Sequence, residues 1–223
     1  NSQNGNLYYD PEFLTNYEVG LNSKIEKLNL NLAAVIFHSD RKDQQVLIST
    51  QVDLNDPNTF TFLTQNAAEG INNGLELEMD FQLSKNLDMF INFGLLKTEI
   101  KSWKSRPEIE GREQAHAPKK SYAIGLNWYP SDQSNLSVDV VGKSSFYYSD
   151  SHDNKSKSYL LTNINYSYFY GQWTYSIWGR NVFDEYYSTR GFYFGNEAPN
   201  FIDTLYERHG DPRHFGITVR YDF

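Results

Sequence analysis

The stretch that decides the fold runs from Leu75 to Leu95, Leu-Glu-Leu-Glu-Met-Asp-Phe-Gln-Leu-Ser-Lys-Asn-Leu-Asp-Met-Phe-Ile-Asn-Phe-Gly-Leu. Apolar residues occupy every odd position from 75 to 83, and acidic or amide residues lie between them. After a short polar break at 84–86, the alternation resumes at Leu87. Because successive side chains of a β-strand point to opposite faces of the sheet, the stretch predicts two strands joined by a tight turn, each apolar on one face.

The same alternation recurs in seven further segments, while helical periodicity is hard to find. Their apolar faces consist of Tyr17, Val19 and Leu21; Leu28, Leu30, Leu32, Ala34 and Ile36; Tyr122, Ile124, Leu126 and Trp128; Leu136, Val138 and Val140; Leu160, Thr162, Ile164, Tyr166 and Tyr168; Trp173, Tyr175 and Ile177; and Phe215, Ile217, Val219, Tyr221 and Phe223. The sequence therefore predicts an all-β, antiparallel chain of about nine strands.

The lengths of the predicted connections alternate as well. Short links follow the odd-numbered strands, at residues 23–27, 84–86, 130–135 and 170–172, and long polar links follow the even-numbered ones, at 49–58, 101–114, 149–158 and 188–210. Outer-membrane barrels have short periplasmic turns and long extracellular loops. A strand of about 10 residues, with ~3.3 Å rise and ~45° tilt, spans roughly 23 Å, close to the ~25 Å apolar band. We therefore predict a transmembrane β-barrel segment, although a soluble antiparallel sandwich would alternate too.

Composition agrees with a barrel wall. The 223 residues include 17 Tyr, 15 Phe and 4 Trp, yet the mean hydropathy is −0.64, as expected for one apolar face with aromatic girdles and a polar lumen. The net charge of −8 argues against a nucleic-acid partner. No run approaches the ~18 apolar residues of a transmembrane helix. The polar start lacks a signal peptide, so we expect the chain to be a fragment whose export signal was lost with an upstream segment.

The last residues, Phe215-Gly-Ile-Thr-Val-Arg-Tyr-Asp-Phe223, carry the strongest motif. A terminal aromatic residue preceded by apolar residues at every second position resembles the signal by which the outer-membrane assembly machinery captures barrels. Such capture is physically a strand addition: the terminal strand pairs through its backbone with an exposed sheet edge, and its alternate side chains give specificity. We assign this role to Phe215, Ile217, Val219, Tyr221 and Phe223; the alternative is an ordinary terminal strand.

Four short motifs, in this order and spacing along nearly the whole chain, resemble the TonB-dependent outer-membrane receptors. They are Pro11-Glu12 with Asn16-Tyr17-Glu18-Val19-Gly20-Leu21; Gly74-Leu75-Glu76-Leu77-Glu78; Asn181-Val182-Phe183-Asp184 with Tyr186 and Tyr187; and Gly210-Asp211-Pro212-Arg213. The resemblance implies a 22-stranded barrel closed by an N-terminal plug domain. Residues 1–223 are then the C-terminal part of the barrel, and the plug, the TonB box and about thirteen strands belong to a part that is absent.

The resemblance also implies the function of the parent protein, which is capture of a scarce nutrient and its TonB-energised passage across the outer membrane of a Gram-negative bacterium. A ferric siderophore is the favoured cargo, with cobalamin, haem and saccharides as alternatives, and no tightly bound cofactor is expected. The expected partners are outer-membrane lipid, the plug and remaining strands, the TonB complex and the barrel assembly machinery. We do not expect an enzyme, since no G-x-S-x-G or comparable nucleophile context occurs. An outer-membrane barrel enzyme and a soluble β-sandwich binding module remain the rivals from other classes.

Three glutamates are candidate contacts with the plug. In the family, glutamates at the positions of Glu18 and Glu76 pair with plug arginines, and Glu78 is a further participant; all three lie opposite the apolar face by parity. The alternative is that they are lumen carboxylates that only contact water.

The last long loop supplies the candidate substrate-binding residues Arg190, Tyr193, Tyr206 and Arg208. Arginine with aromatic rings can hold an anionic or catecholate ligand through charge-assisted hydrogen bonds and stacking. The alternative is an aromatic girdle combined with packing of the loop on itself.

The five histidines show no compact metal-ligand spacing, so no metal site is predicted. They are His38, His116, His152, His209 and His214. His116, in Ala115-His-Ala-Pro118, would be the nearest candidate for an axial ligand if the cargo were haem.

Overall fold

The computed structural model describes residues 9–51, 53, 59–104, 106–195 and 197–223. Most of the first predicted long loop, 49–58, therefore lies outside the described residues. Within the described ranges there is no helix whose length and apolar character would let it cross a membrane.

The described residues form eleven strands and two single-turn 3₁₀ helices. The strands are β1 (Phe13–Ile25), β2 (Leu30–Gln51), β3 (Phe60–Ser84), β4 (Leu87–Trp103), β5 (Lys120–Ser131), β6 (Ser134–Lys143), β7 (Tyr159–Tyr170), β8 (Trp173–Arg180), β9 (Ser188–Phe194), β10 (Thr204–His209) and β11 (His214–Tyr221), and the 3₁₀ helices are Glu26–Leu28 and Pro107–Ile109.

Nine of these strands form one antiparallel sheet in the order β1-β2-β3-β4-β5-β6-β7-β8-β11. Each strand pairs with its neighbour in the chain, except that β9 and β10 form a separate two-stranded sheet between β8 and β11. The all-β prediction of nine strands is therefore confirmed. The short turns after β1, β3, β5 and β7 lie at one end of the sheet, and the long connections lie at the other.

The register brings the apolar positions of all nine strands onto one side of the sheet, which we call the apolar face. Cross-strand partners share a face, and one continuous row consists of Leu30, Phe81, Met89, Leu126, Val138 and Ile164. Large side chains on this face are exposed, with Val19 at 79% and Ile217 at 74%. An apolar surface of this extent marks a contact with lipid or with another protein.

The opposite side, which we call the polar face, is joined by hydrogen bonds between side chains of adjacent strands. Asn163 Nδ2 donates to Asp139 Oδ2 at 2.7 Å, and Ser137 Oγ donates to Asn127 Oδ1 at 2.7 Å. The Ser167 and Ser176 hydroxyls lie 2.8 Å apart. Since polar side chains on this face satisfy one another or meet solvent, the sheet is two-sided, apolar on one face and polar on the other.

Two features of the fold differ from the expected strands of about 10 residues. β2 has 22 residues and β3 has 25, because backbone pairing continues through bulges near Arg41 and Gln44, beyond the part with an alternating apolar face. The predicted loop at 188–210 also contains β9 and β10, which pair with each other.

Some of the most buried side chains lie in the long connections, and others, Ala68 and Ile100, lie in the extended parts of β3 and β4 at the same end of the sheet. Ile109 is 2% exposed, Tyr148 3% and Phe146 5%. The rings of Phe146 and Tyr148 meet edge to face, with centroids 5.8 Å apart. The connections at this end of the sheet therefore have a small apolar core of their own.

Candidate functional site

The predicted plug-contacting glutamates lie together on the polar face. Glu76 and Glu78 are alternate residues of β3, and Glu18 lies two strands away in β1. All three are exposed. Within the described residues none of them forms an ion pair; the amide of Asn16 donates to Glu18 at 3.0 Å. This part of the polar face therefore carries uncompensated negative charge.

A recess of about 390 Å³ lies beside the two β3 glutamates. Small residues form its floor, including Gly94, Ser121 and Ala123 of β4 and β5, and Lys143 borders it. A Cβ atom at Gly94 would lie 2.9 Å from Ser121 Oγ, so a larger residue there would require the Ser121 side chain to move. The recess can receive a side chain from a partner, with Glu76 and Glu78 at its rim.

The β9–β10 hairpin is the second candidate region, and its two faces differ in what they contact. Arg190 pairs with Arg208, and Phe192 pairs with Tyr206, across the hairpin. Tyr193 lies between these positions and pairs with Leu205, so it belongs to the other face. Of the predicted substrate-binding residues, the structure brings Arg190, Tyr206 and Arg208 together and places Tyr193 on the opposite side.

The face that includes Tyr193 and Glu207 packs against the connection between β6 and β7, residues 144–158, and we call it the packed face. The Tyr148 hydroxyl donates a short hydrogen bond to Glu207, and Ser188 Oγ donates to the same carboxylate at 2.8 Å. The Tyr193 ring stacks on His152 with centroids 3.6 Å apart and an interplanar angle of 7°. These contacts fix the position of the hairpin.

The connection between β4 and β5, residues 104–119, contacts both the hairpin and the connection at residues 144–158. His116 Nε2 lies 3.0 Å from the Gly191 carbonyl oxygen. Arg112 donates to the His152 carbonyl at 2.9 Å and pairs with Asp153 at 2.8 Å. The imidazole of His116, the candidate haem ligand, thus contacts the hairpin backbone.

The contact between Tyr148 and Glu207 shifts the pKa of both side chains. Burial, together with the Glu207 carboxylate, raises the pKa of the Tyr148 phenol to about 12. The hydrogen bonds from Tyr148 and Ser188 lower the pKa of Glu207 below its usual 4.5. Because the pKa of Glu207 is lower in the packed hairpin than in a detached one, its contribution to anchoring is complete above pH 4.5 and is lost as the pH falls through the lowered pKa.

We expect Tyr148→Phe to loosen the hairpin by about 1 kcal/mol, less than the ~1.5–3 kcal/mol typical of hydrogen bonds to charged groups, because Glu207 is solvent-exposed. Hydrogen exchange of the β9–β10 amides measures this directly. The difference from wild type should shrink in acid, where Glu207 is protonated. Tyr206→Phe, on the other face of the same hairpin, is the matched control; equal exchange in both variants would show that Glu207 is not an anchor.

The other face of the hairpin, which we call the open face, carries Arg190, Phe192, Phe194, Tyr206 and Arg208. The rings of Phe192 and Tyr206 stack with centroids 5.6 Å apart. Phe192 is 50% and Phe194 52% exposed. Both arginines are exposed, and neither forms an ion pair within the described part of the chain. The open face thus combines two cations with adjacent aromatic surface.

The structure also gives the positions of the predicted assembly-signal residues and of the candidate metal ligands. In β11 the residues Phe215, Ile217, Val219 and Tyr221 all lie on the apolar face, paired with the apolar face of β8, and the Phe223 ring meets Tyr221 edge to face at 5.0 Å. In the parts of the chain that the structure describes, no three His, Asp or Glu side chains converge as metal ligands.

Sequence reasoning missed the residues that position the hairpin, chiefly Arg112, Tyr148 and His152. No local pattern marks them, because each acts on a segment distant in the chain. A weak signal for the hairpin itself was present, since Arg190, Phe192 and Phe194 alternate with Gly191 and Tyr193.

The family model for the β-barrel of TonB-dependent-receptor-like proteins matches residues 1–182. The chain therefore belongs to the TonB-dependent receptor family, whose members are transport receptors and not enzymes.

Solved structures with the same fold include the ferric yersiniabactin uptake receptor FyuA from Yersinia pestis, with 19% identity, 95% of this chain covered and a TM-score of 0.75. The siderophore receptor PiuA from Acinetobacter baumannii shows 17% identity, 98% coverage and a TM-score of 0.75. The copper transporter OprC shows 16% identity, 96% coverage and a TM-score of 0.74. This chain covers 30%, 29% and 32% of those chains, respectively. At these identities the likeness shows a shared barrel fold.

Proposed function

We propose that residues 1–223 form the C-terminal portion of the barrel wall of an outer-membrane TonB-dependent receptor that imports a ferric siderophore or a related iron complex. The observation that carries the proposal is the two-sided sheet, apolar on one face across all nine strands and polar and acidic on the other. The apolar face then meets lipid, the polar face lines the lumen, and the long connections face the outside of the cell.

The edges of the sheet support the assignment as part of a larger wall. Among the described residues, β1 and β11 each pair on one side only. Each unsatisfied backbone group in hydrocarbon costs several kcal/mol, so membrane-spanning sheets close on themselves. Further strands of the same barrel would pair with both edges and complete the wall around a plug domain, which would carry the TonB contact.

Iron complexes are the proposed cargo because two of the similar structures are receptors for ferric yersiniabactin and for a siderophore, according to their names. The copper transporter among them shows that this fold also serves other cargo. Cobalamin, haem and saccharides are therefore the alternatives to be tested beside iron chelates.

The proposal predicts uptake that depends on both the receptor gene and TonB. Deleting the gene should abolish accumulation of radioactive iron from the cognate chelate in iron-limited cells, and the wild-type gene should restore it. Cells without TonB should still bind the chelate at the surface but should not import it. If gene deletion leaves uptake of every iron chelate unchanged while cobalamin, haem or copper uptake falls, the cargo assignment is wrong.

Glu18, Glu76 and Glu78 are proposed to hold the plug domain in the lumen. Their carboxylates lack ion-pair partners within the described residues, and the neighbouring recess leaves room for a long cationic side chain. A partly desolvated pair between such a side chain and these glutamates stabilises the closed state, and removing one partner leaves the other uncompensated.

Glu18→Gln together with Glu76→Gln should therefore raise the mobility of the plug in the intact receptor, because the carboxamides keep the shape and remove the charge. Faster hydrogen exchange of the plug, with unchanged exchange of the barrel strands, is the expected result. Asp88→Asn, another acidic residue that faces the polar side beside Gln82, is the control. Unchanged plug exchange in the double variant would rule out this role.

A further inference from the structure

We infer that the open face of the β9–β10 hairpin binds an anionic, aryl-bearing iron chelate of the catecholate type, with Arg190 and Arg208 as a paired clamp for the negative oxygens. The inference rests on the proposed uptake function and adds the chemical class of the ligand. It starts from the position of the two arginines, which face each other directly across the strand pair.

Like charges directly opposite each other in an antiparallel pair destabilise it. The chain nevertheless places two guanidinium groups there, and no carboxylate among the described residues forms an ion pair with either. The nearby acidic residue of β10, Glu207, is turned to the packed face, where Tyr148 and Ser188 hydrogen-bond to it. An anion bound between the arginines would remove their repulsion, and planar guanidinium groups suit bidentate oxygen ligands.

The rings beside the arginines indicate an aromatic ligand. Phe192 is the next residue of the open face after Arg190 in β9, and Tyr206 has the same relation to Arg208 in β10. The two rings stack on each other, and Phe194 extends the aromatic surface toward the tip. A catecholate offers both features at once, because its oxygens are anionic and its ring can stack.

A membrane-interface girdle explains this surface less well. β9 and β10 pair with each other and not with the nine-stranded sheet. Their packed face is held by the connections at residues 104–119 and 144–158, through Tyr148, His152 and His116. The open face is therefore presented by a fixed scaffold, which lowers the entropic cost of binding. Tyr193 acts in this scheme as a positioning residue through its stack on His152.

The test measures surface binding of three iron chelates to energy-depleted cells that express the receptor from its own gene. The probes are a ferric tricatecholate (anionic and aromatic), ferric citrate (anionic without rings) and a ferric trihydroxamate (without net charge). The variants are Arg190→Gln, Arg208→Gln and Phe192→Ala. Lys104→Gln, which removes another exposed extracellular cation, is the matched control, and the amount of receptor in the outer membrane is measured for each.

We expect the dissociation constant for the tricatecholate to rise about tenfold for each arginine variant, as for loss of a charge-assisted hydrogen bond. It should also rise with salt and with Phe192→Ala, and stay unchanged in Lys104→Gln. If iron uptake depends on the gene but both arginine variants bind the tricatecholate as tightly as the wild type, the inference is wrong and the proposed function stands. The same conclusion follows if the wild-type receptor binds only ferric citrate or only the trihydroxamate. If iron uptake from every chelate is independent of the gene, both the inference and the proposed function are wrong.

Discussion

Arginine in place of Leu126 should destabilise the membrane-inserted sheet by about 2–4 kcal/mol, whereas arginine in place of the neighbouring Asn127 should change little. Leu126 lies near the middle of the apolar face, is 42% exposed, and pairs with Met89 and Val138. A charge there would have to enter hydrocarbon. Asn127, one residue along β5, faces the opposite side, where it accepts a hydrogen bond from Ser137.

Urea titration of the receptor refolded into lipid vesicles measures this difference. The pair of variants is closely matched, because the same residue is introduced at adjacent positions of one strand. A similar loss of stability for both variants, or none for Leu126→Arg, would mean that the apolar face does not contact lipid.

Deletion of Phe223 should strongly reduce the amount of receptor assembled in the outer membrane while leaving the stability of assembled protein unchanged. The Phe223 side chain is fully exposed, at 109% relative accessibility, and within the described residues its ring contacts that of Tyr221. Its removal therefore costs little packing energy. A loss of assembly would come from recognition of the terminal strand, in which alternate side chains supply specificity.

Fractionation of cells, followed by measurement of receptor in the outer membrane and the periplasm, tests this expectation. Thr218→Ala, on the polar face of the same strand, serves as the control. Normal assembly of the Phe223 deletion would show that the terminal residues form an ordinary strand without a role as a signal.

The sequence was sufficient to predict the nine strands of the sheet because each alternates at period two against a single apolar face. It was not sufficient for the full lengths of β2 and β3. From His38 to Gln45 every residue of β2 is polar, and hydrogen bonding between the β2 and β3 backbones continues through this stretch without an alternating apolar face. The segment 188–210 is predicted as a loop because Arg190 and Arg208 interrupt any apolar face in its two short strands of seven and six residues.

The candidate binding residues could also be predicted only in part from the sequence. Composition alone drew attention to Arg190, Tyr206 and Arg208, and pairing in the hairpin brings them onto one face. Tyr193 lies on the opposite face because it alternates with Phe192 and Phe194 along β9, and its stacking partner there, His152, comes from a different connection. The anchor at Glu207 likewise comes from Tyr148, 59 residues earlier in the chain. Contacts between separate connections leave no periodic trace in the sequence.

The central claim, that one face of this sheet meets lipid and the other lines a water-filled lumen, is tested most directly by spin labels along β7. These 223 residues contain no cysteine, so single cysteines at residues 160–168 can each be labelled in receptor reconstituted into lipid, once any cysteine elsewhere in the receptor has been replaced by serine. Even positions should be accessible to oxygen dissolved in the bilayer, and odd positions should be accessible to a polar nickel chelate, with a period of two residues. Equal access of the nickel chelate to both sets of positions would contradict the account.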